Sequence, residues 1–468
     1  MSIRSVSVLS IVAAIAILSV SPVRAQGDPD PDDARIVQRF FETALVEAES
    51  YHLLDTLCND IGPRLSGSQG AARAIVWTKS VMERYGFDRV YLQDVMVPHW
   101  ERGDRQTARI EPSASGDRDD LSLLAIGGSV ATPEGGITAP VLEVQSLDEV
   151  VELGEDAVRG KIVFYNRAFD HRNITTGAGY GGAVDQRTRG ASRAAQYGAV
   201  AVVIRSVTSS FDDHPHTGTL IYADTLPRIP AGALGMDSAD RLAARLKADP
   251  DTRLHLNMNN VWHPDAPSHN VVGELIGSDF PDTYITVGGH IDSWDVGHGA
   301  HDDGAGCMHS IGAVRLFQKL GIRPRHTLRA VMFINEENGT RGGKRYAEIA
   351  VEEGEKHLFA IESDAGGFTP RGIGVNAADS TIEKMRSWLP LFNPNTIGYI
   401  RKGGGGVDIR PLHNATGTPM AGLITDSQRM FDVHHSPKDV FESVNRREME
   451  LGTASLGAFL YLVDRYGL

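Results

Sequence analysis

The chain predicts an α/β fold: a mostly parallel, twisted sheet with helices on both faces, interrupted by an inserted module. From Asn270 onward, short apolar or β-branched runs alternate with stretches of helical periodicity, the pattern of a parallel sheet covered on both sides. Acidic and histidine motifs follow three of those runs, at the strand ends where open α/β sheets hold ligands. Residues 131–260 have a strand and helix alternation of their own but no dense cluster of His, Asp and Glu.

Residues 1–25 have the form of a secretory signal: Arg4, a mainly apolar run from Val6 to Val20, then the small-residue site Val23-Arg24-Ala25. The apolar run is shorter than the ~20 residues a membrane span needs. An exported protein, periplasmic or secreted, with no stable membrane association is therefore expected. Residues 26–34 are a polar, Pro-rich leader. The spacing of Ile36, Phe40, Leu45, Tyr51, Leu54 and Leu57 predicts helix over 34–58, and a second amphipathic helix occupies 70–85 before Gly86. Residues 90–97 alternate as a strand. Within the insert, 140–144 and 161–165 are short strands, 189–197 is a helix ending at Gly198, 199–204 is a buried strand and 237–247 is another helix. Beyond Asn270, strands are expected at 284–287, 328–333, 359–362 and 421–423, with helices near 304–320, 341–353, 378–389 and 446–466. The division that follows is a discontinuous domain, 26–130 with 261–468, around the insert 131–260.

A length of 468 residues exceeds one ordinary core. Hydrophobic content of 41% with 23% charged residues describes a globular chain, not a disordered or membrane-embedded one. A formal net charge of −14 argues against nucleic acid or anionic lipid as the main partner. Cys58 and Cys307 are the only cysteines, so the fold cannot rest on a disulfide framework. Cys307 sits inside an apolar helical pattern and reads as a buried thiol.

Five motifs carry the chemistry. Gly289-His290-Ile291-Asp292 closes a strand. Residues two apart in an extended chain point to one side, so His290 can bind a metal while the Asp292 carboxylate orients its ring. Asp302 and Asp303 precede a helix opening with Gly304-Ala305-Gly306. One carboxylate there can bridge two metals and the other can cap the helix; we assign the bridge to Asp302. Glu336 and Glu337 follow the run 328–334. Adjacent side chains at a strand end diverge, so one can hold a metal while the other stays free as general base. Asp364 closes a further strand, and His434 and His435 compete for the position before Ser436. Each motif alone is weak. Together they supply five ligands and a spare carboxylate, a donor set that suits Zn²⁺, and two adjacent metals suit a hydrolase.

In order and residue type these motifs resemble the co-catalytic dizinc aminopeptidase and carboxypeptidase family. The segments Pro63-Arg64-Leu65-Ser66-Gly67-Ser68, Pro98-His99-Trp100-Glu101-Arg102-Gly103, Gly289 to Gly297 and Glu362-Ser363-Asp364-Ala365 also look like that family's, and the resemblance spans about 35–468. It implies a dizinc exopeptidase fold with two Zn²⁺ per chain. By position it puts His290 and Asp364 on one zinc and Glu337 and His435 on the other, with Asp302 bridging. Glu336 becomes general base and acid, and Asp292 supports His290. His435 is preferred to His434 because the family pattern has an acid four residues after the ligand, here Asp439. The resemblance further implies that the insert is a protease-associated domain beside the cleft. It implies a substrate-side loop at Gly403–Gly406 and Asp408, hydrolysis of small peptides such as unblocked dipeptides, and a possible homodimer.

Two rival readings use a related fold: a single-zinc glutaminyl cyclase-like acyltransferase, and an inactive receptor or binding ectodomain. Retention of all five ligand positions argues against both. The chain has no Gly-x-Ser-x-Gly elbow and no Walker-type phosphate loop. Gly177-x-Gly179-x-x-Gly182 does not sit between a clear strand and helix, as a dinucleotide fingerprint must. His214 and His216, in a loop with Pro and Gly, read as solvated or substrate-facing. His301 has no assigned role.

Overall fold

The computed structural model describes residues 31–111 and 119–468; the expected signal segment, residues 1–25, lies outside them. Two eight-stranded sheets organise the chain. The first has the spatial order Arg89–Glu101, Val261–Leu275, His326–Phe333, Phe280–His290, Lys356–Glu362, Met420–Thr425, Pro370–Asn376, Tyr399–Lys402. Its four central strands, from His326–Phe333 to Met420–Thr425, are mutually parallel. Antiparallel pairs stand on both flanks. The expected mostly parallel sheet is therefore mixed: parallel through its centre, and antiparallel both where the chain leaves for the second sheet and returns and, on the other flank, where Pro370–Asn376 meets Met420–Thr425.

Period-two alternation assigns the strand faces. Leu328, Ala330 and Met332 join the larger core, while Val331 and Phe333 join a second cluster with Tyr346, Ala347 and Leu412. Helices Ala305–Leu320 and Arg446–Tyr466 cover the first face, and Arg341–Glu352 and Arg410–Thr416 the second. Helix Pro31–Glu47 packs on the outside of the first pair, its Phe40 ring edge-on to Phe317 at 5.3 Å. The helix expected over 34–58 breaks at Ala48, whose φ of 52° is left-handed, and ends in a π-helical turn, Thr56–Ile61. Helix Gln69–Arg84 starts where expected because Ser68 accepts the N–H of Ala71.

Strands Arg89–Glu101 and Val261–Leu275 pair antiparallel out to Glu101 opposite Val261. The second sheet lies wholly between those two residues, with strands from Gln106–Ile110 to Arg253–Met258. It thus begins at Gln106, well before the expected boundary at 131, because Gln106–Ile110 pairs with Arg253–Met258 and Leu123–Ala125 with Ala231–Leu234. Those N-terminal strands are short: Gln106–Ile110 is largely polar, and Leu123–Ala125 is three residues long. Among the described residues no helix is long and apolar enough to cross a membrane. Cys58 and Cys307 are both buried and unpaired; burial pushes the Cys58 thiol up to about 12.

Candidate metal centre

The strand Phe280–His290 is exposed at its start and fully buried from Ile285 to its end, so His290 is delivered into a dry site. Gly289 is required there. A Cβ would lie 2.3 Å from Asp303 Oδ2 and 3.0 Å from the Cys307 nitrogen. Asp303 holds this corner, accepting the His290 N–H through Oδ2 and the Gly306 N–H through Oδ1, each at 3.0 Å. That is the supporting, helix-capping role expected of it.

His290 Nδ1 lies 2.9 Å from the backbone carbonyl of Asp292 and 3.9 Å from its carboxylate. The expectation that the carboxylate orients the ring is corrected accordingly. The strand ends at His290, so the same-side rule no longer governs residue 292. The Asp292 carboxylate instead accepts the N–H groups of Glu336 at 3.1 Å and Glu337 at 3.4 Å, fixing the turn that carries both glutamates.

Asp302 is the centre of the site. Its Oδ1 is 3.2 Å from His290 Nε2, and its Oδ2 is 3.1 Å from His435 Nε2 and 3.3 Å from His434 Nε2. Asp364 Oδ1 lies 3.5 Å from His290 Nε2, and Glu337 Oε2 lies 3.2 Å from His435 Nε2. Two groups that could each hold a metal ion result, His290 with Asp302 and Asp364, and Asp302 with His434 and His435. They share Asp302. Burial pushes the Asp302 carboxyl up, but the His290 and His435 imidazoles beside it outweigh burial and hold the group well below the usual range. Glu337 is pushed up to about 7 by burial and by Asp302, against the pull of His435.

All the sequence-predicted site residues converge: His290, Asp302, Glu336, Glu337, Asp364 and His435 on one centre, with Asp292 directly behind the glutamates. His434 also reaches Asp302, stacked on His435 with ring centroids 3.5 Å apart; only His435 of the pair is placed beside Glu337 as well. The backbone at Asp302 is set by Asp439, which accepts the N–H of His301 at 2.7 Å and of Asp302 at 3.1 Å. His301 turns away. It stacks on Phe368 at 4.1 Å and its Nδ1 accepts the Gly367 N–H. His214 bonds to Asp212 and His216 Nδ1 bonds to the His434 carbonyl, so His216 supports the histidine segment from behind.

The donor set fits a metal pair. His290 Nε2 and Glu337 Oε1 are buried with no hydrogen-bond partner, an arrangement that is costly unless a cation completes it. His290 Nε2 and Asp302 Oδ1 are close but not aligned as donor and acceptor. Imidazole and carboxylate together suit Zn²⁺ and related divalent ions.

Some contributors carried little or no sequence signal. Arg64 donates to the carbonyls of Ile291 at 2.6 Å and Gly299 at 2.7 Å, pinning the loop between His290 and Asp302; its only trace was the Pro63-Arg64-Leu65-Ser66 motif. The Gly403–Gly406 run packs inward: a Cβ on Gly406 would overlap the Glu362 carboxyl, and one on Gly404 would strike the Gly374 backbone. Glu362 accepts the N–H groups of Val407, Asp408 and Ile409 at 2.9–3.1 Å. Val407, not the glycines, reaches the cleft. That cleft, of about 870 Å³, has Glu336, Glu337 and Asp364 on one wall and Tyr180, Leu220 and Tyr222 on the other.

Residues 270–456 match the description Peptidase family M28. Carboxypeptidase Q of Mus musculus and of Homo sapiens are each 36% identical over 414 residues, 88% of this chain and 85% of theirs. The crystal structure of a peptidase M28 precursor from Shewanella amazonensis matches with a TM-score of 0.86 at 32% identity, covering 93% of this chain and 97% of that one. A zinc aminopeptidase from Bacillus subtilis shares the fold at a TM-score of 0.65 and 21% identity, over 88% of this chain and 94% of its own.

Proposed function

The chain belongs to peptidase family M28, and from that premise we propose that it is an exported zinc metallopeptidase that hydrolyses small unblocked peptides, dipeptides foremost. The observation that carries the two-metal form of this reading is the division of Asp302, one oxygen facing His290 and the other His435. In it, His290 and Asp364 would hold one Zn²⁺ and Glu337 and His435 the other, with Asp302 available to both. When bound, the zinc pair supplies Lewis acidity that polarises a carbonyl, stabilises its oxyanion and acidifies water.

The chain's own groups do the rest. Glu336 lies on the cleft, its Oε2 4.0 Å from His290 Nε2. Burial, reinforced by Asp364 and Glu337 against the opposing pull of His290, pushes its carboxyl well above the ordinary range. In this role Glu336 accepts a proton from the attacking water and passes it to the leaving amine nitrogen. Asp292 fixes the turn that presents Glu336, and Asp439 fixes the bridge. The second sheet acts as a protease-associated domain forming the far wall of the cleft, a role supported by the positions of Tyr180, Leu220 and Tyr222.

The test is elemental analysis of the purified protein with a dipeptide panel, before and after chelation, alongside Glu336→Gln. Two zincs and chelator-sensitive cleavage are expected. The variant should keep its zinc and lose roughly 10²–10⁴-fold in turnover. A variant that cleaves at the parent rate removes Glu336 from the mechanism. One zinc with no cleavage of any dipeptide would favour the cyclase-like chemistry instead.

A further inference from the structure

Among the described residues, three groups of histidine and carboxylate donors are close enough to hold a metal ion. Two share Asp302 and belong to the centre above. The third is His99, Glu101 and His263, whose ligand atoms all lie within 4.8 Å of one another. It stands where the first sheet hands the chain to the second. His99 and Glu101 end the strand Arg89–Glu101, and His263 is near the start of Val261–Leu275. His99 pairs directly with His263, Trp100 with Trp262 and Glu101 with Val261. Alternation puts His99, Glu101 and His263 on one face of this ribbon and both tryptophans on the other. Trp100 enters the core of the second sheet and Trp262 lines the cleft, while none of the three donors lines it.

The His99 and His263 rings stack with centroids 4.4 Å apart and planes 28° from parallel. Each turns Nε2 to a different oxygen of one carboxylate, His99 to Glu101 Oε1 and His263 to Glu101 Oε2, both at 3.3 Å. A charge-assisted N–H···O bond spans ~2.7–2.9 Å. These contacts are longer, and His263 Nε2 makes no hydrogen bond. Among the described residues no lysine or arginine pairs with Glu101. Two stacked imidazolium rings repel, and one carboxylate cannot neutralise both. As neutral rings they offer two nitrogen lone pairs beside one anion. The loop at Gly67 backs the site: a Cβ there would lie 2.9 Å from that of His99. Side-chain exposures of 22% for His99, 36% for His263 and 58% for Glu101 leave a way in from solvent.

We propose that His99, Glu101 and His263 form a separate site for a divalent transition-metal ion of the zinc class. Two imidazoles and a carboxylate suit such ions. Small side-chain rotations bring the three donors to ~2.0–2.2 Å from one ion, with water in the fourth position. The ion ties Arg89–Glu101 to Val261–Leu275, the two strands that carry the chain out to the second sheet and back. It thereby staples the root of the sheet that forms the far wall of the cleft. The site takes no part in the hydrolysis proposed above and does not depend on it.

Equilibrium dialysis against a series of free Zn²⁺ concentrations, with elemental analysis, counts the ions bound per chain in the parent, His263→Gln, Glu101→Gln and His269→Gln. His269 lies 3.3 Å from Asp94 farther along the same ribbon and is the two-donor control. The parent should take up one Zn²⁺ that His263→Gln and Glu101→Gln bind at least ~10-fold more weakly, the smallest loss expected when even an outer-shell partner is removed. Glu101→Gln keeps the side-chain shape and guards against loss of fold. His269→Gln should bind as the parent does. That ion should also raise the Tm of the parent and not that of His263→Gln. The readout is a difference between variants, so it stands whatever number of ions the centre at Asp302 holds. Uptake that is unchanged in His263→Gln and Glu101→Gln, or lost equally in His269→Gln, overturns the proposal and marks the extra ion as adventitious.

Discussion

Arg329 and Arg187 are both buried, and their surroundings are opposite. Arg329, on the central strand His326–Phe333, donates from Nε to Glu274 and from both terminal nitrogens to Glu355, each at 2.8 Å, with Tyr346 Oη at 3.2 Å from Nη1. The Tyr284 ring covers it at 3.7 Å. Its fork is full. Arg187 has one carbonyl, one aromatic face and an open Nε. The same contrast separates the histidines. His326 is 2.9 Å from Asp464 and well outside the cleft, while His290 Nε2 has no hydrogen-bond partner.

Unfolding measurements can break that comparison. Arg329→Met leaves Glu274 with Arg89, and Glu355 with His357, as the remaining basic partner, and a broken buried pair costs ~3–5 kcal/mol. Arg187→Gln leaves no carboxylate stranded and should cost about 1 kcal/mol, the worth of one hydrogen bond. Equal losses in urea denaturation of the two metal-loaded variants would mean that Arg187 is as structural as Arg329. A second, smaller effect concerns an open network that depends on a closed one. Asp439→Ala removes both acceptors that hold the His301 and Asp302 backbone. Metal affinity, read by competition with a chromophoric chelator, should fall ~10–100-fold. Parent-like affinity would show that the turn Ala300–Gly304 holds its shape without Asp439.

How much of this was legible in the sequence depends on the range of the interaction. Helix Arg446–Tyr466 matches its expected span of 446–466 because its periodicity is local and long. The residues that converge on the candidate metal centre were legible by residue type at strand ends. Their support was less so: the Asp292 carboxylate was expected on His290 and instead holds the Glu336 and Glu337 N–H groups, because which of its oxygens meets His290 depends on where the strand stops. Asp439 reaches Asp302 across 137 residues, a separation that no spacing rule spans, and only its place in a family pattern drew notice to it. Arg187 was invisible. It sits in the polar segment Asp185–Gln196, which reads as a solvated helix, and it is buried by the approach of the loops carrying Thr217 and His435. Gln106–Ile110 was missed because its pairing partner, not its own composition, makes it a strand, and Leu123–Ala125 because it is only three residues long.

Glu450 lies between the two extremes and sharpens the comparison through pH. It is 2% exposed and accepts the Tyr51 N–H at 2.8 Å, yet among the described residues no cation forms an ion pair with it. Burial pushes its carboxyl up to about 7, outweighing that backbone hydrogen bond. The native state therefore binds this proton more tightly than the unfolded chain, where a glutamate titrates near 4.5. Its contribution to stability is fully present below pH ~4.5 and is lost as pH rises towards ~7, with a limiting slope of about 1.4 kcal/mol per pH unit. Glu450→Gln keeps an acceptor for Tyr51 and has no proton to lose. Relative to the parent, the variant should gain roughly 2 kcal/mol between pH 5 and pH 7.5, read as the difference between the two unfolding curves at each pH with metal saturating. Parallel curves would mean that Glu450 is ionised throughout, held by its backbone hydrogen bonds and the pull of Arg446.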